Sequence, residues 1–173
     1  MDIHLKKVAI SIGKYKTYMY MRGTLTLSNK WDKRYIGLAK EIASWSKDPS
    51  KQIGAVAIGE KGQVLAQGYN GFPRGIADSD HRYNDRNEKY KYVVHAEMNC
   101  IYNATFNGVS LQGATIYISG LPVCSECAKG LIQVGVKRVV YECGDDVPDI
   151  WKEHNETTIE LLSEADISYE RIH

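Results

Sequence analysis

The sequence has no apolar run able to cross a bilayer: its uninterrupted stretches are as short as residues 55–58, against the roughly 20 residues a spanning helix needs. Nor does one charge dominate. With 22 basic and 21 acidic side chains the formal charge is +1, whereas a dedicated nucleic-acid binder carries a clear Lys/Arg excess to neutralise phosphates. Four cysteines in 173 residues are too few for a disulfide scaffold, and two of them stand at metal-ligand spacing, which points to a reducing compartment. The first residues, with Asp2, His4, Lys6 and Lys7 ahead of residues 8–10, lack the apolar run and small-residue cleavage site of a signal peptide. No internal repeat or low-complexity segment is present. What is there is 43% hydrophobic and 25% charged residues, an average globular composition that at this length buries roughly 70% of the unfolded surface without covalent staples. The expectation is a soluble, cytoplasmic protein with one main domain.

Residues 1–30 differ from the rest. Tyr15, Tyr18, Tyr20, Lys14 and Lys16 alternate loosely with apolar positions as far as Leu27, a pattern of one or two short strands. Basic residues dominate this stretch, so the neutral total conceals a positive arm. It reads either as a peripheral hairpin or oligomer arm, or as a phosphate-binding extension. From Trp31 onward, Tyr35, Leu38, Ala39, Ile42 and Trp45 fall at helical spacing, and the run stops at Asp48-Pro49. Residues 53–58 and 64–69 read as strands joined by a turn around Glu60, Lys61 and Gly62. Residues 71–92 are polar, rich in Gly, Asp, Asn and Tyr, and too long for an idle loop. A helix starting near His95 carries Met98, Ile101 and Tyr102 on an apolar side. A strand over 114–119, a helix over 125–134, a strand over 136–141, a helix over 156–164 and a strand over 167–171 follow. This alternation predicts an α/β domain over residues 31–173, with helices on the faces of a sheet of mixed direction.

The chemistry is concentrated in His95-Ala96-Glu97 and Pro122-Val123-Cys124-Ser125-Glu126-Cys127. A Cys-x-x-Cys pair presents two thiolates from one turn, and His95 supplies a third ligand. Three protein ligands leave the fourth tetrahedral position open, the arrangement of a catalytic rather than a structural zinc. Soft thiolates with imidazole suit zinc over magnesium or calcium. Glu97 is then placed beside the metal without having to bind it, where it can pass a proton from an activated water to a substrate nitrogen. Both groups fall where a helix begins, and two helix N-termini aimed at one point favour thiolate and other anions there.

This pair of motifs is the zinc deaminase signature, in which the glutamate is the acid/base and not a ligand. The chain resembles the cytidine deaminase superfamily and, within it, the deoxycytidylate (dCMP) deaminases, over about residues 31–172. The resemblance is carried also by Ser46-Lys47-Asp48-Pro49, Gln52-Ile53-Gly54-Ala55, Gly68-Tyr69-Asn70-Gly71-Phe72-Pro73 and Cys127-Ala128-Lys129. It implies a three-layer α-β-α sandwich around a mixed five-stranded sheet. It also implies deamination of dCMP to dUMP, the thymidylate precursor, in a homohexamer activated by dCTP and inhibited by dTTP, with Mg2+ accompanying the triphosphate.

By the same resemblance, water would attack C4 of cytosine while Glu97 protonates N3 and then the leaving ammonia. The Ala96 N–H would bond the base carbonyl, since a helix's first turn leaves such donors unpaired. Asn70, otherwise the turn residue of an Asn-Gly pair, would bond the sugar hydroxyl. Tyr141, otherwise a packing residue, would stack on cytosine, and Lys47, otherwise a solvated lysine before a turn, would meet the 5′-phosphate. Residues 71–92 form the candidate effector insertion. Gly68, Tyr69, Gly71 and Phe72 belong to the allosteric motif, with glycines allowing a nucleotide close approach, and Arg74, His81 and Arg82 stand as triphosphate partners. An insertion serving only subunit contacts is the other reading.

The chain also departs from the pattern. Val123 stands where relatives have Pro directly before the first zinc cysteine, and Trp45 where some have arginine. Residues Glu142 to Asp146 lack a tyrosine found past the position of Tyr141 in relatives. Cys100, Cys143, His4, His81, His154 and His173 show no ligand spacing, so one zinc per chain is expected, with Cys100 and Cys143 as packed or surface thiols. The competing expectations are a deaminase acting on a free nucleoside, tRNA or single strand, and a zinc-stabilised scaffold without activity. A polynucleotide channel would need a basic groove with stacking aromatics, which the stretch from residue 31 does not offer.

Overall fold

The computed structural model describes residues 6–12, 15–21, 29–145 and 149–172. Two units separate, Met1–Trp31 and Asp32–His173. In the first, β1 (Lys6–Ile12) and β2 (Tyr15–Met21) pair antiparallel, with Lys6 opposite Met21 and Ile12 opposite Tyr15. The alternation expected to reach Leu27 runs past β2 into residues outside those described.

The second unit is built on a five-stranded sheet. Its strands are β3 (Gly54–Ile58), β4 (Val64–Tyr69), β5 (Thr115–Gly120), β6 (Arg138–Cys143) and β7 (Ser168–Arg171), in the order β4-β3-β5-β6-β7. β3 runs antiparallel to both its neighbours, whereas β5, β6 and β7 are parallel. The sheet is therefore mixed, as the resemblance implied. Helix α1 (Asn29–Ala43) covers one face, and α4 (Ala96–Phe106), α5 (Ser125–Gln133) and α6 (Asp149–Glu164) the other.

The period of two along each strand decides what each face buries. Ala55, Ala57, Ile116, Ile118, Val139 and Tyr141 point into the larger cluster under α4, α5 and α6. Val56, Ile58, Tyr117 and Val140 meet Ile36, Ala39 and Ile42 of α1 on the other side. Being buried on both faces explains why β3 is apolar throughout. Asp32 of α1 closes this second layer at the start of β6. It pairs with Arg138 at 2.8 Å and accepts a 2.7 Å hydrogen bond from the Tyr117 hydroxyl. Burial alone would raise the Asp32 carboxyl, but the bonds from Arg138 and Tyr117 hold it below its ordinary value.

Two glycines bring the helices onto the sheet. A Cβ on Gly54 would lie 2.0 Å from the Ala39 carbonyl oxygen in α1, and one on Gly68 would lie 2.3 Å from the Cys100 nitrogen in α4. α4 also shields the edge strand. Its Asn99 and Asn103 amides donate to the Tyr69 and Gln67 carbonyls at 2.7 and 2.6 Å, groups that an open edge would offer to another chain. Gly68→Ala is accordingly expected to lift α4, and the histidine at its head, away from the sheet. The expected loss is about 1–3 kcal/mol, read from urea unfolding. An unchanged midpoint would mean that the helix does not depend on this close approach.

Several boundaries differ from the sequence reading. α1 stops at Ala43, before Trp45, which is half exposed. β6 continues two residues past Tyr141, and α6 begins at Asp149 rather than 156. On α4 the buried side is Ala96, Glu97, Cys100, Ile101 and Ala104, while Tyr102 is half exposed. Of the expected apolar side only Ile101 is buried, and the small residues Ala96, Cys100 and Ala104 fill the positions where the helix lies close to β4. The polar stretch 71–92 also contains two short helices, α2 (Asp80–Asn84) and α3 (Arg86–Tyr92). Asp85 starts the latter by accepting from the Asn87 and Glu88 N–H groups, and Phe72 stacks on Tyr83 at 4.2 Å with Tyr92 edge-on. Turns this short leave no helical periodicity to read.

Candidate active site

The helix starts expected at His95 and near Cys127 both occur, and both face one place. His95 is the N-cap of α4 and Cys124 the N-cap of α5, each with extended backbone, so their side chains project ahead of the first turn. Cys127 lies in the first turn of α5 and donates its N–H to the Cys124 sulfur at 3.4 Å. His95 Nδ1 sits 3.3 Å from Cys124 Sγ and 3.5 Å from Cys127 Sγ, and all three ligand atoms lie within 4.8 Å of one another. A tetrahedral zinc with ordinary Zn–N and Zn–S bonds would separate a nitrogen and a sulfur ligand by about 3.6 Å. The donor set and its spacing therefore fit zinc.

One of the two thiols is drawn toward its ligand form by its neighbours. The Cys124 thiol is pulled well below its ordinary value, first by the hydrogen bond from Cys127 and then by His95, while burial opposes the change. His95 is raised to about 9, chiefly by its bond to Cys124. Cys124 thus already favours thiolate, the form a metal ligand must take, while the bond to Cys124 and burial push the Cys127 thiol up. Glu97, in the first turn of α4, is 4% exposed, and burial pushes its carboxyl up while the His95 charge opposes the rise. Its carboxyl also interacts with the Cys127 thiol, which places it against the ligands. A buried carboxyl here can hold or release a proton with little competition from water.

The other candidate residues are placed as follows. Ala96 is fully buried at the first position of α4. Asn70 is buried after β4 with its amide engaged: Oδ1 accepts from the Ile53 N–H at 2.8 Å, and Nδ2 donates to the Lys51 carbonyl at 2.9 Å and to Asp48 at 3.4 Å. In this arrangement it ties residues 48–53 to the end of β4. Tyr141, on the same sheet face as α4 and α5, is 9% exposed and stacks on Tyr169 with ring centroids 4.6 Å apart. Lys47 is exposed and ion-paired with Asp78 at 2.8 Å.

The effector candidates do not form one cluster. Gly68 faces the α4 backbone, and Tyr69 meets Trp45 edge-on at 6.2 Å. Gly71 forms a two-way bridge with Val94, and Phe72 belongs to the aromatic group with Tyr83 and Tyr92. Arg74 donates to Asn103 and lies over the Phe106 ring, whereas Arg82 donates to the Ala77 carbonyl and lies over Tyr92. His81 is in α2. Of the remaining cysteines, Cys100 is fully buried under α4 and Cys143 half-buried. The side chains of His4, His154 and His173 lie outside the described residues.

Two groups of residues escaped the sequence reading. Lys89, from the polar stretch, is buried and pairs with Asp48 at 3.1 Å, also donating to the Ser50 hydroxyl at 2.6 Å. Nothing in Lys89-Tyr90-Lys91-Tyr92 distinguishes it from a surface lysine. Tyr169 and Thr158, from the C-terminal strand and helix, contact the residue before Cys124. No motif marks them.

Comparison with known proteins follows the same outline. Residues 29–143 match the family model described as the cytidine and deoxycytidylate deaminase zinc-binding region. An uncharacterized deaminase of Aliivibrio fischeri is 35% identical over 142 residues, covering 80% of this chain and 91% of that one. The deoxycytidylate deaminase of Mus musculus is 35% identical over 138 residues, 77% of this chain and 73% of that one. Among solved structures, the dCMP deaminase of cyanophage S-TIM5, in complex with dCMP and dUMP, superposes with a TM-score of 0.67 over 84% of this chain and 99% of its own. At 22% identity that likeness establishes the fold.

Proposed function

The chain belongs to the cytidine and deoxycytidylate deaminase family of zinc-dependent enzymes, and from that footing we propose that it converts dCMP and water to dUMP and ammonia. The observation carrying this reading is the meeting of His95, Cys124 and Cys127 at two helix starts with the buried carboxyl of Glu97 against them. The mononucleotide is favoured because the mouse relative is a deoxycytidylate deaminase and the cyanophage structure holds dCMP and dUMP.

In this reading His95, Cys124 and Cys127 hold one zinc ion, and Glu97 stays outside its ligand set. Zinc, when bound, supplies Lewis-acid activation of water. Glu97 takes a proton from the attacking water as the C4–O bond forms and delivers it to ring N3. It then passes the second proton to the exocyclic amine as the C4–N bond breaks and ammonia leaves. The Ala96 N–H, in a helix's first turn, donates to the base carbonyl. Tyr141, backed by Tyr169, forms the aromatic wall for the ring. Asn70 contacts the sugar hydroxyl only by exchanging one of its present partners, and Lys47 reaches a 5′-phosphate by leaving Asp78.

The domain boundary near residue 31 belongs to the same proposal. So do a cytoplasmic location and a homo-oligomer regulated at residues 68–92 by dCTP and dTTP, with Mg2+ on the triphosphate. Its support is that this segment is bound to residues 47–50 by the Lys47–Asp78 and Asp48–Lys89 pairs, so a ligand ordering one would act on the other. No described helix is long and apolar enough to cross a membrane.

A panel of dCMP, CMP, deoxycytidine, dCTP and a short cytosine-containing strand, each with and without dCTP and dTTP as effectors, tests the reading. The highest kcat/KM is expected on dCMP. Preference for the strand would overturn the substrate assignment, and saturation curves unmoved by either triphosphate would remove the effector role.

A further inference from the structure

The residue immediately before the first cysteine of the metal site is held from the far end of the chain. Val123 is fully buried, and both of its backbone polar groups end on side chains. Its N–H donates to the Tyr169 hydroxyl oxygen at 3.1 Å, and its carbonyl accepts from the Thr158 hydroxyl at 3.0 Å. The Tyr169 hydroxyl in turn donates to Asn155 Oδ1 at 3.1 Å, so a directed chain runs from Val123 through the phenol to α6. Asn155 and Thr158 are three residues apart on that helix and therefore share a face. The same phenol ring stacks on Tyr141 at 20°.

An N–H at position 123 is a buried donor that water cannot reach, and a buried donor without a partner costs about 1–3 kcal/mol. Proline there would bring no donor at all. Valine brings one, and Tyr169 accepts it. Fixing the peptide groups on either side of Val123 fixes where Cys124 begins α5, and hence where its sulfur points.

We propose that Tyr169 is a positioning residue: its hydroxyl holds the Val123–Cys124 turn in the metal-binding geometry, while its ring fixes Tyr141 beside the same site. Burial keeps this phenol protonated well beyond the ordinary tyrosine range, so the hydroxyl remains both donor and acceptor. Thr158 holds the next peptide group through the Val123 carbonyl. The inference rests on the reading of His95, Cys124 and Cys127 as a zinc site, and concerns how firmly that site holds the ion.

The test compares wild type, Tyr169→Phe, Val123→Pro and the double variant, each loaded with zinc. Zinc release to an excess of chromogenic chelator is timed, and folding is checked by circular dichroism. Tyr169→Phe keeps the ring and removes the acceptor, and is expected to release zinc about tenfold faster. In the Val123→Pro background, where no N–H is left to satisfy, Tyr169→Phe is expected to change the release rate little. A packing role for Tyr169 would give the same effect in both backgrounds and would overturn the proposal. So would a Tyr169→Phe protein that holds zinc as firmly as wild type. Should Val123→Pro fail to fold, Thr158→Val and Thr158→Ser make the comparison without touching the turn, with faster release expected only from the valine. Equal release from those two would count against the proposal. A wild-type protein that takes up no zinc would overturn the metal reading and this inference together, which a wild type with bound zinc distinguishes from failure of the inference alone.

Discussion

Glu97→Gln is expected to lower kcat on dCMP by about 10²–10⁴-fold while leaving one zinc per chain in place. The glutamine fills the same volume in a pocket where only 4% of the residue is exposed, so neither packing nor helix start is disturbed. What disappears is a group that can both accept and donate the travelling proton. The amide cannot take a proton from the attacking water, and no other described carboxylate is placed among the ligands. The measurement is single-turnover deamination with metal content determined on the same sample. A rate within a few-fold of wild type, with zinc retained, would falsify the role given to Glu97 and favour a zinc-stabilised scaffold. Loss of zinc along with activity would instead make Glu97 a participant in metal binding, contrary to its place outside the ligand set.

Lys89→Met should be the most destabilising of the charge-removing changes, by about 3–5 kcal/mol, because it strands a buried carboxylate. Asp48 is 4% exposed and its remaining partners are the Ser50 hydroxyl and backbone, the Lys51 N–H and the Asn70 amide. In a unit of this size such a loss lowers the melting temperature by about 10 °C. Lys47→Met breaks an exposed pair in the same region and is expected to cost less than about 1 kcal/mol. The combination Lys89→Met with Asp48→Asn, which leaves no charge uncompensated, should recover much of the difference.

The acid dependence follows with a definite sign. Burial alone would raise the Asp48 carboxyl, but bonds from the Ser50 hydroxyl and backbone and from Lys89 outweigh it and hold the pKa below its ordinary value. A depressed folded pKa gives stability that is present above the unfolded value of about 3.9 and is lost as pH falls through the folded one. The gap between wild type and Lys89→Met should therefore be full at pH 7 and shrink below about pH 4. Urea unfolding at several pH values measures it, and a gap independent of pH would show that Lys89 acts through packing of its stem rather than through its charge.

How much of this was legible beforehand depended on how local each feature is. The cluster of His95, Cys124 and Cys127 was legible because Cys-x-x-Cys is a property of one turn, and His95 and Glu97 of another. The five strands and four longer helices carried their periods over enough residues to be read, within a few residues at their ends except at the start of α6. α2 and α3 were not, being held by an Asp85 cap and by the stacking of Phe72 on Tyr83 rather than by any repeating pattern. Tyr102 misled because an aromatic at helical spacing suggests an inner face. Here the backbone of Ala96 and Cys100 lies against Gly68, and Tyr102 falls on the outer side of α4.

The amino-acid sequence by itself determined the reaction class and the order of strands and helices, because ligand spacing, helix starts and apolar periods are written over short distances. Tertiary structure alone decided which residues support that chemistry. Lys89 lies 41 positions from Asp48, and Tyr169 lies 46 from Val123. Their roles arise when folding removes water from a carboxylate and from a peptide N–H, each of which then requires a partner that no local pattern announces.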